Sequence, residues 1–459
     1  MVTTNHSKIR FIGYAISTFP AHLGEGYGGG TYLGNPNMDI DIEARITILK
    51  NAVDTAKAQI PVCQDDASVT NIFMAPEFFF HSPHGPYIYP SSDQDPIPKI
   101  LARLLETFNA TDYPNWTFVF GTALSAQIAN PEKLFLSESV KARNEIVKFL
   151  VAQEEKSASG IALVVSNTLK GFIRDCQNYP DVIVRDRALI VSNIPLDSPV
   201  KPLQTKQMTT EKYFISGEDF ILFDTEGKHD VVTEQMVAYR HIDLSNGDLK
   251  EHPDDLYAIF RQNYGVDNFP NYVDFGVEIC LDHDDERLRL NLGQEPFPNP
   301  SDAVHVQLVP SCGSAIAGAS VVTDSYGFVF NCDGQYPLDG THDQAQQGTI
   351  GGVQCVFVNY NSSPSGAYNY HSAHTQLARV QNPAQGNNPN AGSASFQTLD
   401  TADVYSFPVI APQLAVGNFN DYFAGGPGAV HIYGLHQAYE LYPRPDTANK
   451  VESDKVTNS

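Results

Sequence analysis

Three short stretches of the chain carry residues that could do chemistry together. In DFGVEICLDH (274–283), Val277, Ile279 and Leu281 alternate with Glu278, Cys280 and Asp282. That period of two marks a strand, with one cysteine near its end and an acidic loop behind it. Open α/β sheets present reactive groups at the C-terminal ends of their strands. IFMAPEFFF (72–80) ends a second apolar run on a single carboxylate, Glu77, followed by Phe78, Phe79 and Phe80. Between them KPLQTKQM (201–208) supplies a base, Lys206, with Lys170, Lys201 and Lys212 as competing lysines. An amide or nitrile carbon is a poor electrophile, so its hydrolysis needs a nucleophile, a proton shuttle and charge stabilisation. Cys280 supplies the first: a thiolate attacks the carbon and forms a thioester-type intermediate that water opens. A free thiol titrates near about 8.5, so it needs help. Glu77, desolvated by its aromatic neighbours, fits a general base. A lysine ammonium, with the backbone N–H of Leu281, would stabilise the oxyanion.

A Pro-Glu closing one strand, a lysine in mid-chain and a Gly-Val-X-Ile-Cys-X-Asp strand resemble the carbon–nitrogen hydrolase (nitrilase) superfamily. Its signature is Glu, Lys and Cys in this chain order. The resemblance implies an α/β fold, a four-layer α-β-β-α sandwich, here with large loop insertions. It implies a thiol hydrolase acting on a non-peptide carbon–nitrogen bond of a small molecule, amide ahead of nitrile, with no cofactor. It selects Lys206 among the lysines, because the following QMTTEKYFISGED is similar to the family's segment after its lysine. It implies a supporting second glutamate, with Glu211 the best match and Glu218 next. It also implies association into a homodimer or higher homo-oligomer. Phe78 and His81 belong to an aromatic and histidine-rich loop, 78–89, expected to line the pocket. The loop's HSPHGPYIYP departs from the family's usual segments, so the substrate does not carry over. Acyl transfer to an amine shares the thioester step, and a non-catalytic binding protein could keep the fold. A papain-like Cys–His pair would need a helix at the nucleophile, where this sequence has a strand pattern.

The surrounding elements are those such a site requires. A first strand near residues 8–17 precedes a helix over 41–60, where Ile42, Ile46, Leu49, Val53 and Ala56 recur at helical spacing. A strand over 70–80, a helix over 96–108 and a strand over 116–124 follow. Residues 128–182 interrupt the scheme with two amphipathic segments before DRALIVSN (186–193) resumes it. VHVQLVP (304–310), GVQCVFVN (352–359) and 429–442 supply later strands, and the Asn/Pro/Gly/Ser-rich 381–396 a surface loop. We expect one domain over 1–445, with insertions near 128–182, 222–265 and 380–400, and a polar tail over 446–459. GEGYGGG (24–30) opens no helix and is expected to be a loop, not a phosphate cradle.

Composition narrows the function classes. There are 29 Lys+Arg against 53 Asp+Glu, a net charge of −24, which opposes nucleic acid and anionic membranes as partners. No run of about 18 apolar residues offers a membrane span. The start lacks the basic and apolar regions of a secretory leader, so a cytoplasmic protein is expected. The six cysteines are sparse and form no CxxC, which argues against a disulfide scaffold or zinc ribbon. His371 and His374 form HxxH without an evident third ligand, so no metal site is expected.

Overall fold

The computed structural model describes residues 8–23, 30–60, 68–83, 85–89, 92–128, 182–197, 204–213, 236–238, 258–264, 271–290, 303–335, 345–350, 353–358, 374–383, 392–399, 404–441 and 444–445. The two amphipathic segments expected within 128–182, most of the 222–265 insertion, the tail over 446–459, Glu218, His84 and His371 lie outside them. In chain order, the main strands are β1 (Lys8–Ala15), β2 (Val69–Ala75), β3 (Trp116–Ile128), β4 (Val182–Leu196), β5 (Thr205–Glu211), β6 (Ile259–Asn263), β7 (Asn271–Val277), β8 (Val304–Ser311), β9 (Thr323–Asp333), β10 (Gln376–Asn382), β11 (Ser395–Thr398), β12 (Val404–Pro408) and β13 (Ala429–Tyr433). The first sheet runs β12-β13-β1-β2-β3-β4-β5 and the second β6-β7-β8-β9-β10-β11, with short strands added to both. Each has a parallel centre, β1-β2-β3 in one and β7-β8-β9 in the other, flanked by antiparallel neighbours.

Sequence explains which strands sit centrally. β2 reads VTNIFMA and is buried at every position, as a strand covered on both faces must be. Its two faces feed different cores. Ile72 and Met74 join Phe11, Val119, Phe275, Val306, Leu308 and Phe330 between the sheets. Phe73 and Ala75 join Phe118 and Phe120 against the two long helices. These are α1 (Met38–Gln59) and α2 (Pro96–Thr107), which cover the outer face of the first sheet. The side chain of Asn37 caps α1 by accepting from the N–H groups of Asp39 and Ile40 at 3.1 and 3.2 Å. Asp95 caps α2 in the same way, with Pro96 at its first position.

The second sheet breaks the expected four-layer scheme. Strands take 45% of the described residues and helices 19%, and the two remaining helices have only four residues each. These are α3 (Leu281–Asp284) and α4 (Arg287–Leu290). Glu286, at φ +59, takes a left-handed conformation between them and stops a longer helix from forming. The outer face of the second sheet is packed by Ile316, Val321, Ala394 and Phe396 from non-helical chain and β11, not by a helix layer. The expected α-β-β-α sandwich is therefore corrected, among the described residues, to two mixed sheets with both long helices on the first and only the four-residue α4, through Leu288, against the second. The loop expected over 381–396 also contributes strand at both ends, β10 and β11. No helix among the described residues is long and apolar enough to cross a membrane.

Candidate active site

Glu77 lies two residues beyond β2, where the chain leaves the sheet. Its N–H donates to the Ser311 carbonyl at 3.3 Å, tying this turn to the end of β8 in the other sheet. Phe78 takes φ +58, and its N–H donates to Thr122 Oγ1 at 2.9 Å. This tight passage depends on Gly121. A Cβ there, at φ +66, would meet the Pro76 carbonyl oxygen at 2.0 Å. The β3–β4 register shifts between Val119 and Thr122, so a bulge opens the space that the Glu77 turn occupies.

The lysine that meets Glu77 is Lys212. Its Nζ donates to Glu77 Oε1 at 2.8 Å, with both side chains essentially fully buried, and it lies 5.5 Å from the centre of the Phe78 ring. Lys206 is instead exposed on β5. The selection of Lys206 is corrected for a simple geometric reason. Six residues leave side-chain parity unchanged, but at about 3.3 Å per residue they move a group about 20 Å along the strand. The C-terminal end of β5, not its start, reaches the turn that carries Glu77.

The strand expected to carry Cys280 ends at Val277, three residues earlier, and Cys280 instead stands immediately before α3, so a short helix does begin at the nucleophile. Its φ of +45 and ψ of −106 are unusual for a residue with a side chain. The turn is held by its N–H donating to the Pro310 carbonyl at 3.1 Å, and by its own carbonyl accepting from His283 N–H at 2.8 Å. The sulfur accepts from the Cys312 N–H and lies 3.3 Å from Ser314 Oγ. Burial pushes the thiol well above its ordinary range, and the Glu77 charge adds to this; Lys212 acts in the opposite direction. The opposing influences of Glu77 and Lys212 identify both as electrostatic neighbours of the sulfur.

The remaining expected residues have definite places. Leu281 opens α3, so its N–H is among the donors a helix start leaves outside its own ladder. Glu211 pairs bidentately with Arg185 on β4 at 3.1 and 2.8 Å, so its carboxylate is already engaged. His81 is buried, 4.3 Å from the Tyr32 ring, with Nδ1 3.1 Å from the Ser82 carbonyl. Burial, and secondarily the Arg45 guanidinium, hold its imidazole well below the usual histidine range, so it is neutral. It lines a narrow cleft with Ser17, Thr18, Tyr32 and Phe423. The next shell of that cleft is an apolar cluster of Tyr32, Phe78, Leu124 and Cys312. His283, close to the nucleophile in sequence, is fully committed. Its Nδ1 lies 2.7 Å from Glu278 Oε2, and its Nε2 accepts from the Ala317 N–H at 3.0 Å. With Nε2 taken by a backbone N–H and Nδ1 by a carboxylate, neither ring nitrogen is left to handle a substrate proton.

A set of buried charges beyond the sequence expectations holds the nucleophile turn against the lysine. Asp282 accepts from the Tyr213 N–H at 2.8 Å and from Arg287 Nη1 at 3.0 Å. The same Arg287 nitrogen donates to the Glu211 carbonyl at 2.8 Å, and the guanidinium stacks 3.5 Å from the centre of the Tyr213 ring. The residues on either side of Lys212 are thus fixed by the helices following Cys280. Glu278 braces the turn from beneath, accepting from the Leu288 N–H and Gln307 Nε2 at 2.7 and 2.6 Å. The only sequence signal for this set was a run of charges, Glu278 through Arg289, inside an otherwise apolar segment. No model of a protein family, no curated protein and no solved structure matches this chain.

Proposed function

We propose that this chain is a thiol hydrolase that cleaves a non-peptide carbon–nitrogen bond, amide ahead of nitrile, through an acyl-enzyme on Cys280. The observation that carries the reading is the fully buried Glu77–Lys212 pair, whose two charges act in opposite directions on a buried thiol on a strained strand-to-helix turn. A carboxylate, an ammonium and a thiol all buried at strand ends are costly to keep there for structure alone. Their chain order, Glu77, Lys212, Cys280, resembles that of the carbon–nitrogen hydrolases.

In the proposed reaction Glu77 takes the Cys280 proton as the sulfur attacks the carbonyl carbon. The carbonyl π electrons move onto oxygen, where the Lys212 ammonium and the Leu281 N–H stabilise the charge. Glu77 then gives its proton to the leaving nitrogen, the carbon–nitrogen bond breaks, and a thioester remains. Water loses a proton to Glu77 as it attacks the thioester, and the departing sulfur recovers that proton. Acid and amine are the products. The cleft beside Phe78 is lined by neutral His81 and the hydroxyls of Ser17 and Thr18, polar groups without charge. The described free thiols, Cys280, Cys312 and Cys332, support a reducing, cytoplasmic setting. A homo-oligomer is part of the proposal through the resemblance.

The test is ammonia release from a panel of small primary amides and nitriles, with intact-mass detection of the acyl-enzyme. Turnover with a mass adduct that disappears in Cys280→Ala is expected. Ammonia release without hydrolysis product when hydroxylamine is present would reassign the chemistry to acyl transfer. No adduct and no release across the panel would sink the catalytic reading.

A further inference from the structure

Ser314 stands between the nucleophile and a carboxylate that the proposed reaction leaves unused. Its Oγ is 3.3 Å from Cys280 Sγ and 2.7 Å from Asp284 Oδ2. Cys280 and Asp284 are four residues apart across α3, so both point to one side, and Ser314 spans them. The serine cannot swing away easily. Its carbonyl accepts from Asn331 Nδ2 at 2.7 Å and from Ser311 Oγ at 3.3 Å, and the residue is only 3% exposed.

A hydroxyl has one proton and two lone pairs. A carboxylate acceptor at 2.7 Å makes the stronger, charge-assisted bond, so the Ser314 proton is directed to Asp284. A Ser314 proton aimed at sulfur would favour the thiolate; aimed at Asp284 instead, it leaves the sulfur facing a lone pair, which welcomes S–H and repels a thiolate. We propose that Asp284, acting through Ser314, holds resting Cys280 as a neutral thiol with its hydrogen turned toward the serine, and so sets the pH at which the nucleophile ionises. The inference rests on Cys280 being the reactive thiol. Asp284 and Ser314 are positioning residues, since neither need touch substrate.

The other groups facing the sulfur come from separate elements. Glu77, beyond β2, disfavours the thiolate, and Lys212, beyond β5, favours it. The Cys312 N–H, beyond β8, donates to sulfur, while the Cys312 thiol is itself pushed up by burial and by Asp333 and Glu77. Asp284 is the solvent-exposed member of the group, which lets bulk conditions reach the thiol through one hydroxyl.

The full chain is tested by iodoacetamide alkylation of Cys280, read by peptide mass across about pH 5–9, where thiols titrate. The proteins are wild type, Asp284→Asn, Ser314→Ala and the double variant, with circular dichroism confirming folding. An asparagine amide can donate to Ser314 Oγ, which frees the hydroxyl proton for sulfur. Asp284→Asn should therefore lower the alkylation midpoint by about one pH unit and speed labelling near neutrality about tenfold. In the Ser314→Ala background the same change should have no effect. Unchanged or slower labelling in Asp284→Asn overturns the proposal. An equal gain in the double variant also overturns it, because the charge would then act through space without the serine. Ammonia release is followed in parallel. The expected labelling pattern without any turnover would fell the hydrolase reading while leaving this pair standing.

Discussion

Lys212 and Lys206 offer the sharpest contrast at the scale of single residues. Removing the Lys212 ammonium leaves Glu77 charged, buried and without its 2.8 Å partner. Breaking a buried pair in this way costs about 3–5 kcal/mol of stability. Loss of the oxyanion donor should lower turnover of the folded protein by about 10²–10³-fold. Lys206→Ala, at an exposed position, should change stability by less than about 0.5 kcal/mol and leave turnover intact. Urea unfolding and amide turnover measured on both variants check this; equal behaviour would remove Lys212 from the site. Glu77→Gln should keep Cys280 in place yet slow both acylation and deacylation, about 10²–10⁴-fold for a lost general base. Full turnover in that variant would exclude Glu77 as the base. Glu77 and Cys280 were legible because each is a lone reactive group closing an apolar run. Lys212 was not, because alternation gives it the same parity as Lys206. Only the length and placement of β5 separate them, and a local pattern contains neither.

Elements bring these side chains to one point by ending together. β2, β5 and β7 each stop within three residues of Glu77, Lys212 and Cys280, and buried charges lock the ends. Arg287→Met tests the lock. It strips Asp282 of a buried cation and the Glu211 carbonyl of its donor, so a loss of about 3–5 kcal/mol in urea unfolding is expected. In the fraction that remains folded, kcat should fall more than KM rises, since Lys212 and Cys280 shift relative to each other while the cleft at His81 is untouched. A variant with unchanged unfolding midpoint would show that Arg287 does not clamp the site. The long helices and central strands were readable from the sequence because their periodicities are long and clean. The lack of an outer helix layer on the second sheet among the described residues was not, because the stretch after Cys280 reads only as an acidic loop. Asp282, His283, Arg287 and Arg289 instead turn inward to hydrogen-bond, and Glu286 breaks the helix after one turn.

The whole molecule carries a charge of −24, which sets solubility and repels polyanions without determining the fold. Its response to acid depends instead on two histidines buried in the first sheet and its margin. Burial lowers His431, on β13, to about 3, and holds His81 well below the ordinary imidazole range, with Arg45 contributing there. In the unfolded chain both titrate near about 6.5. Below that pH the unfolded state binds more protons than the folded state, so stability rises with pH through this window and is lost as pH falls. The loss from His431 begins near about pH 6.5 and continues until the folded group itself protonates near 3, a span worth on the order of 5 kcal/mol. Folding free energies from urea titrations should therefore decline steadily from pH 7.5 to pH 4.5, two conditions spanning the unfolded histidine range. His431→Gln removes the titrating group while keeping a polar side chain. It should lower stability at neutral pH, where the native packing is lost, and flatten the decline in acid. Parallel wild-type and His431→Gln curves would show that another group governs acid sensitivity.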